Sequence, residues 1–510
     1  MANIGINLVE VDGRATPSIQ GASTSVAGFI IRSPRGLAGK VWAVTNFSEF
    51  VEYFGSYSAT AGGDAGPAFG AYAIKGFFDN GGALAYVTRV VDTTTADKKA
   101  VLATLNVPNN TGMSVSAAYH GQDDYGAWAN QISVAVTANA ASGVDPASWD
   151  LTVSVAGKVV EIFDHLPRNP TSANKVNDQY SGSRYIKLTF AMALVDGVAA
   201  ITTTQATSLA GGADDTLTQA EVETSVMNHL GAQGDGTFDT YDVQLIACPE
   251  TTKNTVLAQG TAYAAGRGDC IYIAAAPDNV DVGATQNWGV QQRGANVYGA
   301  VYFPFLRVND PLGTTRWVPP IGHVMGVYAR TERERGVWKA PAGVNAQVRG
   351  VLDVRYHISD TKHTELVKKG GVNAVRYLAG QGIIIDSSRT LSANPLWQYV
   401  NVRLLFNFVK SSLKGGLRWV VQEPNDEHLW NKVKHNSVVP FLNDLWRRGA
   451  FGPGERADVY SVKIDKENNP GPNIQQGILN VEVYFYPSRP AETFIITVGQ
   501  QEGGPSASES

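Results

Sequence analysis

Short apolar runs separated by glycine, proline and polar clusters set the rhythm of this chain, and no single period holds from end to end. Residues Ile4 to Val11 alternate, placing Ile4, Ile6 and Leu8 on one face of an extended strand. The polar stretch Asp12 to Ser25 detaches that strand from the first globular region, and a strand on a flexible lead needs a sheet to join, which another subunit can supply. From Val26 the pattern is mixed: a strand VAGFII, a helical SEFVEYFG, then an apolar helix stopped by Asn80, Gly81 and Gly82 ahead of the strand ALAYVTRV.

From about Thr93 to Thr240 the residues shift to Ala, Thr, Ser, Val, Asp and Asn with alternating strands such as QISVAVTA, WDLTVSVAG and RYIKLTFA, the pattern of an inserted β-rich domain. The α/β pattern resumes in YDVQLIACPE and DCIYIAAAPD, whose continuous apolar runs suit buried strands. The first domain is therefore expected to be interrupted and then completed. After Val344 a third region begins: Asp360 caps a helix TKHTELVKK, GIIID forms a strand, and Asn394 and Pro395 open a long helix running to Lys414, stopped by Gly415 and Gly416. On that helix Trp397, Leu404, Leu405 and Phe408 face inward, while Arg403, Asn407, Lys410 and Lys414 stack along the opposite face as a basic stripe. Another helix begins at Asn425 with Asp426 and Glu427 in its first turn, and Pro440 breaks or kinks it. The chain closes with strands ILNVEVYFYP and ETFIITV, the second carrying Phe494, Ile496 and Val498, and a disordered tail EGGPSASES.

The densest segment runs from Asn296 to Asn345. Tyr298, Tyr302, Phe303, Phe305 and Trp317 load it with apolar surface, and five prolines between Pro304 and Pro341 fix its backbone. Its charge is concentrated in Arg330, Glu332, Arg333, Glu334 and Arg335, whose mixed signs suit ion pairs at a subunit or domain contact better than a phosphate cradle.

At 510 residues, 44% hydrophobic and 17% charged, the chain is long enough for several domains, and much of its surface is uncharged or covered by partners. The net charge of −5 gives no reason to expect nucleic acid. Its distribution says more: residues 96–239 hold 7 basic and 15 acidic side chains, while the region after 345 is mildly basic. Two cysteines, Cys248 and Cys270, exclude a disulfide framework and a four-cysteine zinc site, and read as reduced core thiols. No apolar run spans a membrane, and MANIGINLVEV lacks the basic and apolar regions of a signal peptide, so synthesis and assembly in the bacterial cytoplasm are expected.

Catalytic patterns are missing. GLAGK at 36–40 lacks the spacing of a phosphate loop, and no HExxH, GxSxG or paired CxxC occurs. His357 and His363 are badly spaced for two ligands on one helix face. The Arg267–Gly268–Asp269 triplet reads as a turn into CIYIAAA, and Asp235, Asp239 and Asp242 as a solvated loop without the closing glutamate of a calcium site. No catalytic residue, cofactor or metal is expected.

As a string, the block from Asn296 to Asn345 closely resembles the core of contractile tail sheath proteins of bacteriophage tails and related injection systems. SEFVEYFG and FFDNGGALAYVTRV resemble the family's N-terminal signatures, and GAWAN at 126–130 its Gly-x-Trp-Gly-Asn. RYLAGQGIIIDSSRTL at 376–391 resembles its arginine-threonine-leucine block, with Asp386, Ser387 and Ser388 in place of the usual Trp-Gly-Ala. WQYVNVRLLFNFVKSSLKGGLRWVVQEPN and YPSRPAETFIITV extend the likeness over most of the chain outside 96–239.

The resemblance implies a multi-domain α/β mixed (α+β) fold. Its parts would be an N-terminal strand arm (1–25), a middle α/β domain (26–95 plus 240–345), an outward-facing β-rich insert (96–239), an inner α/β domain (346–488), and a C-terminal arm and tail (489–510). It implies a homo-oligomer of six subunits per ring, stacked around an inner tube protein, meeting baseplate and terminator proteins, and contracting to drive the tube through an envelope. Neither nucleic acid nor membrane insertion is implied, and the mature protein would sit in a virion tail or a cell-encoded contractile particle. On this basis Ile4, Ile6, Leu8, Val11, Phe494, Ile496 and Val498 would form the inter-subunit strands, Arg403, Asn407, Lys410 and Lys414 would face the tube, and Arg330, Glu332, Arg333, Glu334 and Arg335 would form a switch at a domain junction. The nearest alternative is a non-contractile baseplate or tail-terminating component built on the same fold.

Overall fold

A computed structural model of the chain describes residues 19–58, 68–140, 147–231, 235–278, 280–295 and 297–492. Its centre is an eight-stranded sheet built from β1 (Ala27–Ile31), β2 (Val41–Val44), β3 (Ala85–Arg89), β4 (Leu245–Ala247), β5 (Ile271–Ala275), β6 (Gly299–Phe303), β7 (Val372–Leu378) and β8 (Gly382–Ile385). The spatial order is β2-β3-β1-β4-β5-β6-β7-β8. From β3 to β7 every pair is parallel, and β2 and β8 close the two ends antiparallel. Parallel strands need cover on both faces, which is why AGFII and IYIAA read as unbroken apolar runs. Alternation divides them: Phe29, Ile31, Ile273 and Tyr302 enter one core, and Ile30, Tyr272, Ala274 and Phe303 enter the other.

The first face is covered by α1 (Phe47–Phe54), α2 (Gly70–Asp79) and α6 (Ile321–Arg335), and the second by α3 (Gln219–Leu230), α4 (Asn254–Arg267), α5 (Val282–Gln292) and α7 (Asp360–Lys368). Local signals set many of these boundaries. Asn46 caps α1 by accepting from the Glu49 amide at 2.9 Å. Gly268, at φ +71°, ends α4, and Arg267 pairs with Asp269 at 2.9 Å, so the RGD triplet is the turn into β5.

The insert has its own core around Trp149, Leu151, Val134 and Val115, between a sheet on strands 104–106, 113–119 and 186–190 and another on strands 132–139, 148–155, 158–167 and 204–208. The C-terminal unit comprises α8 (Val400–Gly416), a helical run from α9 (Glu427–Asn431) through a wider π-helical stretch at Lys432–Val438 into α10 (Val439–Arg447), and a two-stranded ribbon, Tyr460–Lys463 with Glu482–Phe485. Asp426 caps α9 by accepting from the Leu429 amide at 2.8 Å, and Pro440, which has no N–H to donate, falls in the first turn of α10, directly after the π-helical stretch.

Three expectations are corrected. Strands β7 and β8, assigned to the unit 346–488, belong to the central sheet, and Leu391 is still part of its second core. Helix α3, assigned to the insert, buries Val222, Val226 and Leu230 in that same core. An apolar strand or helix carries no label for the sheet it joins, so a shift in composition misplaces the borders. Finally, the lead Asp12–Ser25 is tied down over its described part. Ile19 is buried against Gly416 of α8, the Ala22 amide donates to Ser412 Oγ at 2.9 Å, and Ser25 Oγ donates to Glu332 at 2.7 Å.

Candidate assembly surfaces

Seven of the predicted site residues, Ile4, Ile6, Leu8, Val11, Phe494, Ile496 and Val498, lie outside the described residues. The others are placed, and they separate.

The basic stripe does not exist as an exposed face. Helix α8 begins at Val400 rather than Asn394, because residues 394–397 close a separate turn. It is covered on both sides. Arg403 is 2% exposed, stacked 3.7 Å from the Tyr298 ring centroid and 4.0 Å from that of Trp397, and burial lowers its pKa. Asn407 is also buried and donates to the Cys270 carbonyl at 2.9 Å. Only Lys410 and Lys414 reach solvent.

The charged cluster at the end of α6 is not a network of ion pairs. Among the described residues none of its five members lies within 4 Å of an opposite charge. The arginines cap main chain instead: Arg330 donates to the Asn80 carbonyl at 3.1 Å and to that of Gln347, and Arg333 donates to the Gly81 carbonyl at 3.1 Å. The Asn80 and Gly81 carbonyls stand at the C-terminal end of α2, where acceptors lack helical partners and the dipole favours cations. Arg330 is buried, whereas Arg333, Glu334 and Arg335 are exposed.

Glu332 and His323, both on α6, titrate in opposition. Burial raises the Glu332 carboxyl to about 7, with Ser25 pulling the other way. Burial also holds His323 down at about 4. A raised carboxyl stabilises the native state below its ordinary pKa of 4.5, and that contribution is lost as pH rises through 7. A depressed imidazole contributes above 6.5, and its contribution is lost as pH falls toward 4. Glu332→Gln removes the first effect and leaves the second. The variant's urea midpoint is therefore expected to fall more steeply than the parent's on acidification from 6.5 to 4, and parallel curves would refute the assignment.

Sequence reasoning missed a buried polar centre joining the insert to the central sheet. Asp124, 0% exposed, accepts from Arg35 Nε at 3.2 Å and from the Gly36 amide at 2.8 Å, with Arg89 Nη1 at 3.7 Å. Arg35 also stacks 4.0 Å over Trp128 of GAWAN. Gly126 of the same motif has φ +139°, and a Cβ there would lie 2.7 Å from the Pro34 carbonyl. The GAWAN string is the signal that could have found this centre.

The unusual Asp386-Ser387-Ser388 is absorbed locally. Asp386 pairs with Arg376 at 2.7 Å, and Ser387 Oγ accepts from the Ala374 amide at 3.0 Å. Cys248 and Cys270 are free and buried, and burial pushes both thiols well above their usual range. His357 and His363 turn to different carboxylates, Asp353 and Asp386. Asp239 accepts from the Tyr263 hydroxyl at 2.6 Å and Asp242 from Gln244 at 2.7 Å, so the acidic loop spends its oxygens on its own chain. Among the described residues, no helix is long and apolar enough to cross a membrane.

Two features remain exposed and unfinished. The ribbon 460–463/482–485 has no third strand among the described residues, and Tyr484 is 61% exposed on it. A cavity of about 660 Å³ opens between the end of α6, α7 and residues 488–492.

Residues 392–501, starting where the chain leaves the central sheet, match the family described as phage tail sheath C-terminal domain. The tail sheath protein of Vibrio phage KVP40 is 26% identical over 216 residues, covering 42% of this chain and 29% of that protein. The tail sheath protein of Salmonella phage ViI is 24% identical over 342 residues, covering 62% and 49%, and that of Enterobacteria phage T4 is 23% identical over 260 residues, covering 47% and 38%. The chain thus spans half or less of the length of these relatives. In fold, it is similar to the sheath of the anti-feeding prophage in its contracted state (TM-score 0.58, 18% identity, 98% of this chain and 100% of that one). It is also similar to the sheath tail protein of Listeria innocua (TM-score 0.62, 12% identity, 92% and 96%).

Proposed function

We propose that this chain is a tail sheath protein, on its similarity to tail sheath proteins in sequence and fold, and that it is the subunit of a contractile sheath, stacking as rings of six around an inner tube. The observation that carries this reading is the open ribbon 460–463/482–485. Two strands alone are marginal in water, and their outer main-chain groups invite further strands. The terminal segments carrying Ile4, Ile6, Leu8 and Val11, and Phe494, Ile496 and Val498, alternate as added strands do. Donated by neighbouring subunits, they complete the ribbon and leave a linkage of main-chain hydrogen bonds that tolerates sliding between domains. Contraction then rotates subunits as bodies from a metastable extended state, with no nucleotide consumed.

Lys410 and Lys414 are what remains of the tube-facing assignment, and Arg333, Glu334 and Arg335 of the switch. Exposed pairs made by such groups are worth only about 0.2–1 kcal/mol each, so contacts repeated along a tube break one ring at a time. The insert faces outward. Baseplate and terminator proteins close the ends of the stack.

Negative-stain microscopy of the purified protein tests the reading, with hollow helical tubes as the expected result. The triple variant Ile4→Asp/Ile6→Asp/Leu8→Asp is expected to keep the parent's circular dichroism and form no tubes. Tubes formed equally by the variant refute arm exchange, and monodisperse parent particles favour the baseplate or terminator role.

A further inference from the structure

The insert carries a small projecting hairpin beside its second sheet. Strands Leu194–Val195 and Val198–Ala199 pair only with each other, joined by Asp196 at φ +51° and Gly197 at φ +79°. This is the Asp-Gly turn that suits a tight two-residue loop. Its base is fixed, with Ala199 buried and its amide donating to the Arg168 carbonyl at 2.6 Å. Its tip is bare: Val195 is 76% exposed, Val198 46% and Leu194 42%, around one carboxylate. Val195 and Val198, paired across the hairpin and therefore on one face, form an exposed apolar surface that water does not favour.

The 660 Å³ cavity has the complementary surface. Arg335, Lys339, Lys368 and Arg489 surround it, and among the described residues none of them has a carboxylate within 4 Å. The two carboxylates in its wall are already engaged, Asp386 by Arg376 and Glu492 by Arg389 at 2.7 Å. Trp338, Ala342, Val367 and Pro490 supply apolar wall. Asn401, 2% exposed, donates through Nδ2 to the Trp338 and Ser488 carbonyls at 2.8 and 3.1 Å, and its Oδ1 has no donor. Four basic side chains without carboxylate partners around one cavity call for a ligand carrying negative charge.

We propose that the hairpin Leu194–Ala199 of one copy seats in this cavity of a second copy. Asp196 meets the cationic rim, and the valines meet Trp338 and its neighbours. The occupant is a second copy because the insert without α3, residues 96–216, holds 7 basic and 11 acidic side chains, a net −4, and its most exposed aliphatic residue, Val195 at 76%, adjoins an acidic turn. Knob and cavity are different surfaces, so the contact is heterologous and repeats from copy to copy, as a ring or helix requires. The proposal rests on the sheath reading and adds a side-chain contact to the main-chain linkage of the arms.

The test uses the full chain. Asp196→Lys alone, and Arg335→Glu/Lys368→Glu alone, are each expected to lower the pelleted, tube-forming fraction about tenfold, and combining them to restore it to within about twofold. All the altered groups are exposed, and unchanged urea unfolding confirms that folding is intact. Separately, Asp196→Cys with Thr364→Cys, oxidised in assembled tubes, gives a ladder of trimers and longer species, since the native cysteines are buried. Tubes that tolerate every charge reversal and give no ladder overturn the proposal. A groove reversal that blocks assembly while Asp196→Lys does not also overturns it, by pointing to another acidic occupant. A parent protein that forms no tubes counts against the sheath reading alone. The cysteine pair is then scored on concentrated soluble protein, where a ladder supports the contact and its absence overturns it.

Discussion

Asp124→Ala is expected to lower stability by about 3 kcal/mol and to let the insert separate from the central sheet before the rest unfolds. The size reflects what is left behind. Arg35 and Arg89 are 6% and 3% exposed, and Asp124 is the carboxylate that bridges them. Removing one partner of a buried ionic centre strands the other charge, a far larger effect than losing a surface pair. Arg89 retains the Gly36 and Tyr125 carbonyls at 3.0 and 2.8 Å, which keeps the expected loss at the low end of the range for such centres. Asp124→Asn keeps the shape but turns an amide donor toward either Arg35 Nε or the Gly36 N–H, so it recovers little. Urea unfolding followed by circular dichroism, with limited proteolysis at intermediate urea, is the measurement. The expected result is an early transition that releases a fragment spanning the insert. A single transition shifted by less than about 1 kcal/mol would show that the aromatic stack on Arg35 holds the junction without the carboxylate.

This centre shows where sequence reading stops. Strands β1 and β5, helix α1 and the turn at Gly268 were legible, because period and glycine act within a few residues of one another. The site residues depend on partners far along the chain. The helical wheel of α8 correctly aligns Arg403 with Asn407, but it cannot show that Tyr298 covers that face together with the Cys270 carbonyl, 137 positions from Asn407. A side chain facing away from one core therefore reads as a solvated one. The Arg330–Arg335 cluster misleads for a related reason. Its acceptors are main-chain carbonyls at Asn80, Gly81 and Gln347, and a carbonyl has no letter in the sequence. The same holds for Asn401, whose buried amide grips two carbonyls and lines the cavity with a free oxygen.

Gly322→Ala is expected to be as damaging as the loss of Asp124, although alanine favours a helix over glycine by about 1 kcal/mol. Helices α2 and α6 cross with their backbones nearly in contact. A Cβ at Gly322 would lie 2.0 Å from the Ala73 carbonyl oxygen and 2.5 Å from its carbon, and one at Gly326 would lie 2.4 Å from the Phe77 oxygen. These neighbours are main chain inside a helix and cannot rotate away, so the helices must part. Parting them opens the core that holds Phe77, Val324, Met325 and Tyr328. Overpacking of this kind costs about 1–3 kcal/mol and more where backbone must move, which outweighs the gain in propensity. Gly415→Ala gives the opposite sign. It lies in the last turn of α8 with nothing within 4 Å of a Cβ, so it is expected to stabilise by about 0.5–1 kcal/mol. Comparing the two urea midpoints isolates the helix crossing from helix propensity, and a neutral Gly322→Ala would show that α2 and α6 can slide apart freely. On the proposed function, such sliding would absorb the motion that contraction must pass between neighbours. The glycines that bring α2 and α6 together, within the segment that resembles a sheath core, are therefore expected to keep the subunit rigid as well as folded.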